Sequence, residues 1–491
     1  MTLRAGADAE DIPVKPDRVE RMARRRWYAR PFVAILAVTA LAGGLRLYHL
    51  STPPEYVFDE VYYAKDGCFD AGIPFRECGL DAPREQTFTV HPPLGRWIVA
   101  GGVALFGNEP FGWRVASAVF GTVSVLLVAI MALRLFGSVL WAAAAGLLLA
   151  TESLNFVQSR ISMVDIFLTA FVLAGLLSLV LDRQWIERRT PLPPELDRDD
   201  EALLLNLPPD RPPSPIFRPW RLAAGLAFGA AIATKWSGGA ALVGAILLAL
   251  AWERTRRRRA RLTHPLREAI RDESFGILLF LLALPVLVYV ASYARWWADN
   301  GLALWDWWRV QQGMATFSIN LRAEHPYSSP AWKWLLLARP VAYYYKCTQM
   351  GASSCLAPAE ILGIGNPVIF WGSLLAIPYA LFSWVRRRDW RAGLIFVAIA
   401  SQFGPWFFAA RTNFLFYMTP VTPFMVLAGV YALRDVSQLR VGTDRVRWPT
   451  VVAAFLVVAA VAVFLFFLPV LTGRIISHAA WKARIWFPSW V

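Results

Sequence analysis

The stretch Val451-Val452-Ala453-Ala454-Phe455-Leu456-Val457-Val458-Ala459-Ala460-Val461-Ala462-Val463-Phe464-Leu465-Phe466-Phe467-Leu468-Pro469-Val470 carries no charged side chain. About 20 apolar residues cross a hydrocarbon core roughly 30 Å thick. Within that core a helix satisfies its own backbone hydrogen bonds, and a lone strand does not. Similar runs recur from Phe32 onward, in a chain of 491 residues that is 57% hydrophobic and 17% charged. The alternation of a closed barrel is not visible. The expected fold is an all-α polytopic membrane protein.

The net charge of +15 lies in short clusters between the apolar runs. Basic cytoplasmic loops account for this pattern, and nucleic acid is not an expected partner. Residues 1–31 are polar and end in Arg24-Arg25-Arg26 and Arg30, which places the N-terminus in the cytoplasm. The first apolar run, 32–50, lacks a small-residue cleavage site before the acidic loop that follows, so it reads as a retained helix.

Further spans are expected at 113–135, 140–150, 163–181, 275–293, 367–384, 392–408, 414–433 and 451–470. The run 222–252 has Arg218 and Arg221 before it and an arginine cluster at 254–261 after it. Both of its ends then face the cytoplasm, which requires two short spans with Lys235-Trp236-Ser237-Gly238-Gly239 as the outer turn. The total is about eleven transmembrane helices. The layout is a basic cytoplasmic tail (1–31), a membrane domain (32–470) and an extracytoplasmic tail (471–491). Two large outer loops, 51–112 and 294–364, and a cytoplasmic loop, 182–219, interrupt the membrane domain. The cytoplasmic loop is polar and proline-rich and is expected to be partly disordered. Within the first outer loop, 97–106 is apolar but too short to span and reads as interfacial.

Cys68, Cys78, Cys347 and Cys355 are the four cysteines, and this topology puts all of them outside, where disulfides form. We expect Cys68–Cys78 and Cys347–Cys355, although four cysteines allow three pairings and free thiols are the other reading.

Three groups of residues point to chemistry. Asp59-Glu60 lies in the first outer loop among Phe58, Tyr62 and Tyr63. It reads either as a solvated acidic pair at a helix start or as a partly desolvated base beside a second carboxylate. Arg114, Lys235 and Arg411 fall at outer ends of spans, where cations require a partner. Lipid headgroups would serve, and so would a shared phosphate ligand. Asp165 starts a span in Ser159-Arg160-Ile161-Ser162-Met163-Val164-Asp165, as a partner of Arg160 or as an orienting carboxylate. His91 and His325 each precede a proline. No ligand spacing calls for a metal, and no phosphate-cradling glycine loop is present. These absences point to a substrate held in the membrane.

The motifs Phe58-Asp59-Glu60, His91-Pro92-Pro93-Leu94-Gly95, Arg114, Ser159 to Asp165, Thr234-Lys235-Trp236-Ser237-Gly238, His325-Pro326-Tyr327-Ser328-Ser329 and Arg411 to Pro420 together resemble the protein O-mannosyltransferase family, of the GT-C glycosyltransferase type. Each is weak alone; their order is specific. The arginine-heavy composition is similar to that of actinobacterial members. The resemblance implies an enzyme that moves mannose from polyprenyl-phosphate mannose to Ser or Thr of secreted polypeptides, outside the cell membrane and with inversion. It implies Asp59 as general base and Glu60 as an aid in positioning acceptor or sugar. Arg114, with Lys235 and Arg411, would hold the phosphate, and His91 and Asp165 would line the same site. The lipid-linked sugar is a substrate, so no cofactor is expected; a metal requirement is not set by the sequence. Expected partners are the donor, the acceptor chains, membrane lipid and the secretion translocon. The β-trefoil domain of eukaryotic members has no room in the second outer loop.

Two other readings compete. A related lipid-linked glycosyltransferase acting on a glycan or lipid acceptor would share the carboxylate and the cations. A transporter would place ionisable groups in mid-span and show internal repeats, and neither is evident.

Overall fold

The computed structural model describes residues 18–81, 90–190, 214–351, 355–438, 440–441, 444–445 and 448–490. The first 17 residues of the tail expected to be cytoplasmic and most of the 182–219 segment lie outside these described residues, as does the expectation of disorder there.

Helices lie over every expected span. In chain order they are α1 (Arg18–Leu47), α2 (Glu60–Asp70), α3 (Leu94–Phe106), α4 (Pro110–Phe136), α5 (Val139–Ala150), α6 (Ser153–Gln158), α7 (Val164–Arg189), α8 (Pro219–Thr234) and α9 (Gly238–Arg259). There follow α10 (Pro265–Ala291), α11 (Ala294–Asn300), α12 (Leu304–Asn320), α13 (Pro367–Arg387), α14 (Trp390–Phe403), α15 (Thr422–Ser437), α16 (Trp448–Leu471) and α17 (His478–Lys482). Among the described residues six are long and apolar enough to cross a membrane: α4, α7, α9, α10, α13 and Thr450–Leu471 within α16. The break between α8 and α9 falls at Lys235–Ser237, at the expected turn.

The short helix expected within 97–106 is α3, and α2 starts beside Asp59; segment 294–364 carries α11 and α12 as well. Two expectations are corrected. The all-α reading missed an antiparallel hairpin, β1 (Val341–Cys347) with β2 (Pro358–Gly363). The segment expected as a helix from 414 starts as a 3₁₀ turn, Leu415–Met418, and α15 begins only at Thr422. Pro420 and Pro423 lack the N–H groups a continuous helix would need. The cysteines pair as Cys68–Cys78 and Cys347–Cys355.

Burial orders the bundle. The apolar window of α7 is 78% buried, against 22% for that of α16, so α7 runs through the middle and α16 along the rim. α8 packs on α7 and on α10. Gly225 and Gly229 of α8 face α10, where a Cβ would strike the Phe280 carbonyl and Pro285; small residues four apart permit such close approach. Phe280 lies in a π-helical stretch, Leu278–Ala283, just before Pro285.

At the end of this bundle remote from Lys235, four arginines meet four carboxylates. Arg218 bonds Asp182 at 2.8 Å, Glu253 at 2.8 Å and Glu273 at 3.2 Å. Arg221 reaches Glu273 at 2.6 Å, Arg256 reaches Glu253 at 2.8 Å, and Arg257 reaches Glu253, Asp272 and Glu273. The cluster ties α7, the start of α8, α9 and α10 together.

Candidate active site

A cavity of about 560 Å³ opens where α2, the start of α7 and the α8–α9 turn meet. Segments 317–325 and 411–417 close its other side. Asp59 enters it at the residue before α2. Its neighbour Phe58 sits at φ 52°, a conformation a bulky residue rarely holds, and such strain tends to mark functional sites. The Phe58 ring packs against Tyr343 at 4.9 Å and Phe416 at 5.8 Å, which pins the turn. Asp59 makes no side-chain cap to α2, and no donor reaches its carboxylate among the described residues. Burial pushes its pKa up to about 6; Lys235 opposes this shift and Asp165 adds to it.

Lys235 and Asp165 stand opposite. The Lys235 Nζ donates to Asp165 Oδ1 at 2.8 Å and lies 4.5 Å from the centre of the Tyr417 ring. One ammonium N–H is thereby committed and two stay open. Asp165 was weighed as a partner of Arg160, but Arg160 instead donates to the carbonyls of Leu45, Arg46, Tyr48 and His49 at the end of α1. Arg411 makes one long bond, Nη2 to Tyr417 Oη at 3.4 Å, and its buried Nε has no partner. His91 lines the cavity beside Tyr63. Burial, then Lys235 and Arg411, hold its pKa well below the usual histidine value, so it is neutral.

Glu60 and Arg114 do not line the cavity, and the roles expected of them are corrected. Arg114 Nε and Nη2 each donate to Glu60 at 2.8 Å. Nη1 takes the carbonyls of Leu50 (3.2 Å) and Pro53 (2.7 Å), and Nη2 also takes that of Glu55 (2.9 Å). All five N–H donors of this guanidinium are thus committed, and none is open to a phosphate. The Glu60 carboxylate further accepts from Val57 N at 2.8 Å and Ser162 N at 2.9 Å. The pair clamps the loop carrying Asp59 onto α4 and onto the entrance of α7.

The sequence reading gave no site role to Arg96, Asp66 and Tyr417, and named Tyr63 and His325 without placing them in the site; all five line the cavity. Arg96 makes no hydrogen bond among the described residues, and its carboxylate neighbours stand at 3.8 Å (Asp66) and 3.7 Å (Asp70). The signal was available in part: Asp59, Tyr63 and Asp66 are spaced four and three apart, one face of a helix. Tyr417 was hidden inside an apolar run. His325 accepts the Tyr327 N–H on Nδ1 at 3.2 Å. Among the described residues no group of three or more His, Cys, Asp or Glu is placed to hold a metal.

Two family models match. Residues 303–490 match the C-terminal four-transmembrane region of protein-O-mannosyltransferase, and residues 90–189 match dolichyl-phosphate-mannose-protein mannosyltransferase. A polyprenol-phosphate-mannose–protein mannosyltransferase of Mycolicibacterium smegmatis is 30% identical, over 92% of this chain and 92% of its own length. Its namesake in Mycobacterium tuberculosis is 30% identical over 95% and 92%. Among solved structures, the S. cerevisiae protein O-mannosyltransferase Pmt1–Pmt2 complex bound to the sugar donor superposes with a TM-score of 0.74 at 13% identity. That match covers 94% of this chain and 93% of the yeast chain, and shows a shared fold.

Proposed function

The chain belongs to the protein O-mannosyltransferase family, and from that premise we propose that its cavity transfers mannose from a polyprenyl-phosphate carrier to Ser or Thr hydroxyls of secreted polypeptides, with inversion. The observation that carries this reading is Asp59, a carboxylate with no donor among the described residues, facing cations whose N–H groups are open. The acceptor O–H gives its proton to Asp59 as its oxygen attacks the sugar's anomeric carbon from the side opposite the phosphate. The carbon–oxygen bond to phosphate breaks, and the polyprenyl phosphate leaves with the electron pair. Lys235 and Arg411 meet its charge, since preorganised cations act where charge develops. Arg96 replaces Arg114 as the third cation. Asp165 fixes the Lys235 ammonium, and neutral His91 offers a hydrogen bond without adding charge.

The same reading sets the orientation. Helix ends at the cavity carry Asp165 and Lys235; the opposite ends carry Arg134, Arg188, Arg189, Arg256 to Arg259, Arg386 and Arg387. Arginine-rich ends favour the cytoplasm. We therefore place the cavity outside, the N-terminus inside and eleven crossings between the two faces. Membrane lipid surrounds the carrier's tail, acceptors are unfolded chains near the translocon, and no cofactor is needed beyond the donor.

Membranes holding the protein, given radiolabelled polyprenyl-phosphate mannose and a Ser/Thr-rich peptide, should label the peptide. Label appearing only on a glycolipid would hand the site to a glycosyltransferase with a glycan or lipid acceptor. Two further results are expected from this assay. Because the base must be ionised, kcat/KM should fall about tenfold per pH unit below about 6, the value set by burial of Asp59. A flat profile between about pH 5 and about pH 7 would remove Asp59 from that role. Arg411→Ala and Arg96→Ala should each raise the donor KM about ten- to a hundredfold, the scale of one lost charged hydrogen bond. An unchanged donor KM in both would take these cations out of the donor site.

A further inference from the structure

A second, more open cavity of about 390 Å³ adjoins the first. The two share Ala323, His325, Arg411 and Thr412 as a common wall. Its floor is the non-helical segment from Leu321, itself extended, to His325, which follows α12. One edge of this segment is occupied: Thr412 N donates to the Leu321 carbonyl at 3.0 Å, and Thr412 Oγ1 to that of Ala323 at 2.6 Å. The two carbonyls that meet Thr412 are two residues apart, the spacing at which an extended chain presents groups to one side; on that pattern Arg322 and Glu324 present theirs to the other. Both residues are exposed, and neither has a backbone hydrogen bond among the described residues.

We propose that the acceptor polypeptide reaches Asp59 through this second cavity, lying extended along the free edge of Arg322–Glu324 as an added strand. The inference rests on the transfer reading above and names how that site takes its acceptor. A bare edge recognises main chain, whose N–H and C=O groups are the same in every residue. It therefore suits many secreted sequences and excludes a chain already folded, whose backbone groups are paired within itself. The cavity adjoins the one that holds Asp59, and its polar lining, with Arg322, Glu324, His325, Ser328 and Arg411, suits a polypeptide and not a lipid's hydrocarbon tail.

The test uses peptides N-methylated at single positions flanking the reactive serine, with wild-type membranes and saturating donor. Methylation at alternate positions should raise the peptide KM about three- to tenfold, the scale of one lost hydrogen bond, with little effect at the positions between. Equal effects at every position, or none at any, would overturn the strand pairing. A second arm uses Arg322→Pro, which deletes one edge N–H; Leu321 already has the extended backbone (ψ 98°) that a residue before proline needs. Its peptide KM should rise while its donor KM stays at the wild-type value. Arg322→Ala, which keeps the N–H, should match wild type; a loss equal to that of the proline variant would transfer recognition to the side chain and sink the proposal. Wild-type membranes that label no unmodified peptide would overturn the transfer reading and this inference with it.

Discussion

Asp59→Asn should reduce mannose transfer to the peptide by about a hundred- to ten-thousandfold, the contribution of a positioned general base. The amide is nearly isosteric with the carboxylate but cannot take the acceptor proton. Among the described residues no hydrogen bond depends on the charge: Asp59 makes no cap to α2 and receives no side-chain donor. Folding should survive, so expression and thermal unfolding in detergent should match wild type. Donor KM should change little, because the cations that meet the phosphate remain. Counts equal to wild type at equal expression would leave the family assignment standing and remove Asp59 as base.

Arg114→Ala should fail differently, through the fold. Its guanidinium is 1% exposed and the Glu60 carboxylate fully buried. Breaking such a pair from one side leaves an uncompensated charge and costs about 3–5 kcal/mol. Three carbonyls, those of Leu50, Pro53 and Glu55, would lose their donor as well. We expect a large drop in thermal midpoint and little folded protein in detergent. Glu60→Gln should be milder, since an amide still accepts from Val57 or Ser162. Removing both charges with Arg114→Met and Glu60→Leu should not restore stability, because the backbone groups each side chain serves stay unpaired. An Arg114→Ala protein with wild-type unfolding and only a raised donor KM would return Arg114 to the phosphate site.

These two residues show what the sequence made legible. Length and charge of the apolar runs sufficed to locate helices, because a span is a local property of about 20 consecutive residues. The carboxylate Asp59 and the cations Lys235 and Arg411 stood out because charge at a membrane boundary requires a partner. Which partner each one takes was not legible. Arg114 and Glu60 are 54 residues apart, and Lys235 and Asp165 are 70 apart. Pairing over such separations is decided by helix packing, which leaves no local mark. Adjacent carboxylates gave no hint that a half-turn would send Asp59 into the cavity and Glu60 behind its wall. Arg96 directly follows a motif that was noticed, yet a cation is recognised as available only when its surroundings are known.

The cluster around Arg218 bears on the order of events during synthesis. Asp182 on α7 lies 17 residues beyond Asp165, roughly 25 Å along the helix axis, so these charges gather at the far face of the bundle. Arg218 and Arg221 leave the ribosome long before Glu273, their shared partner. Only once residue 273 has been made can the four arginines meet all four carboxylates and tie α7, α8, α9 and α10 together. The cavity draws its wall from residues as far along the chain as Tyr417. A protein truncated before α10 therefore lacks both the far-end cluster and much of the cavity wall, and should not form the site.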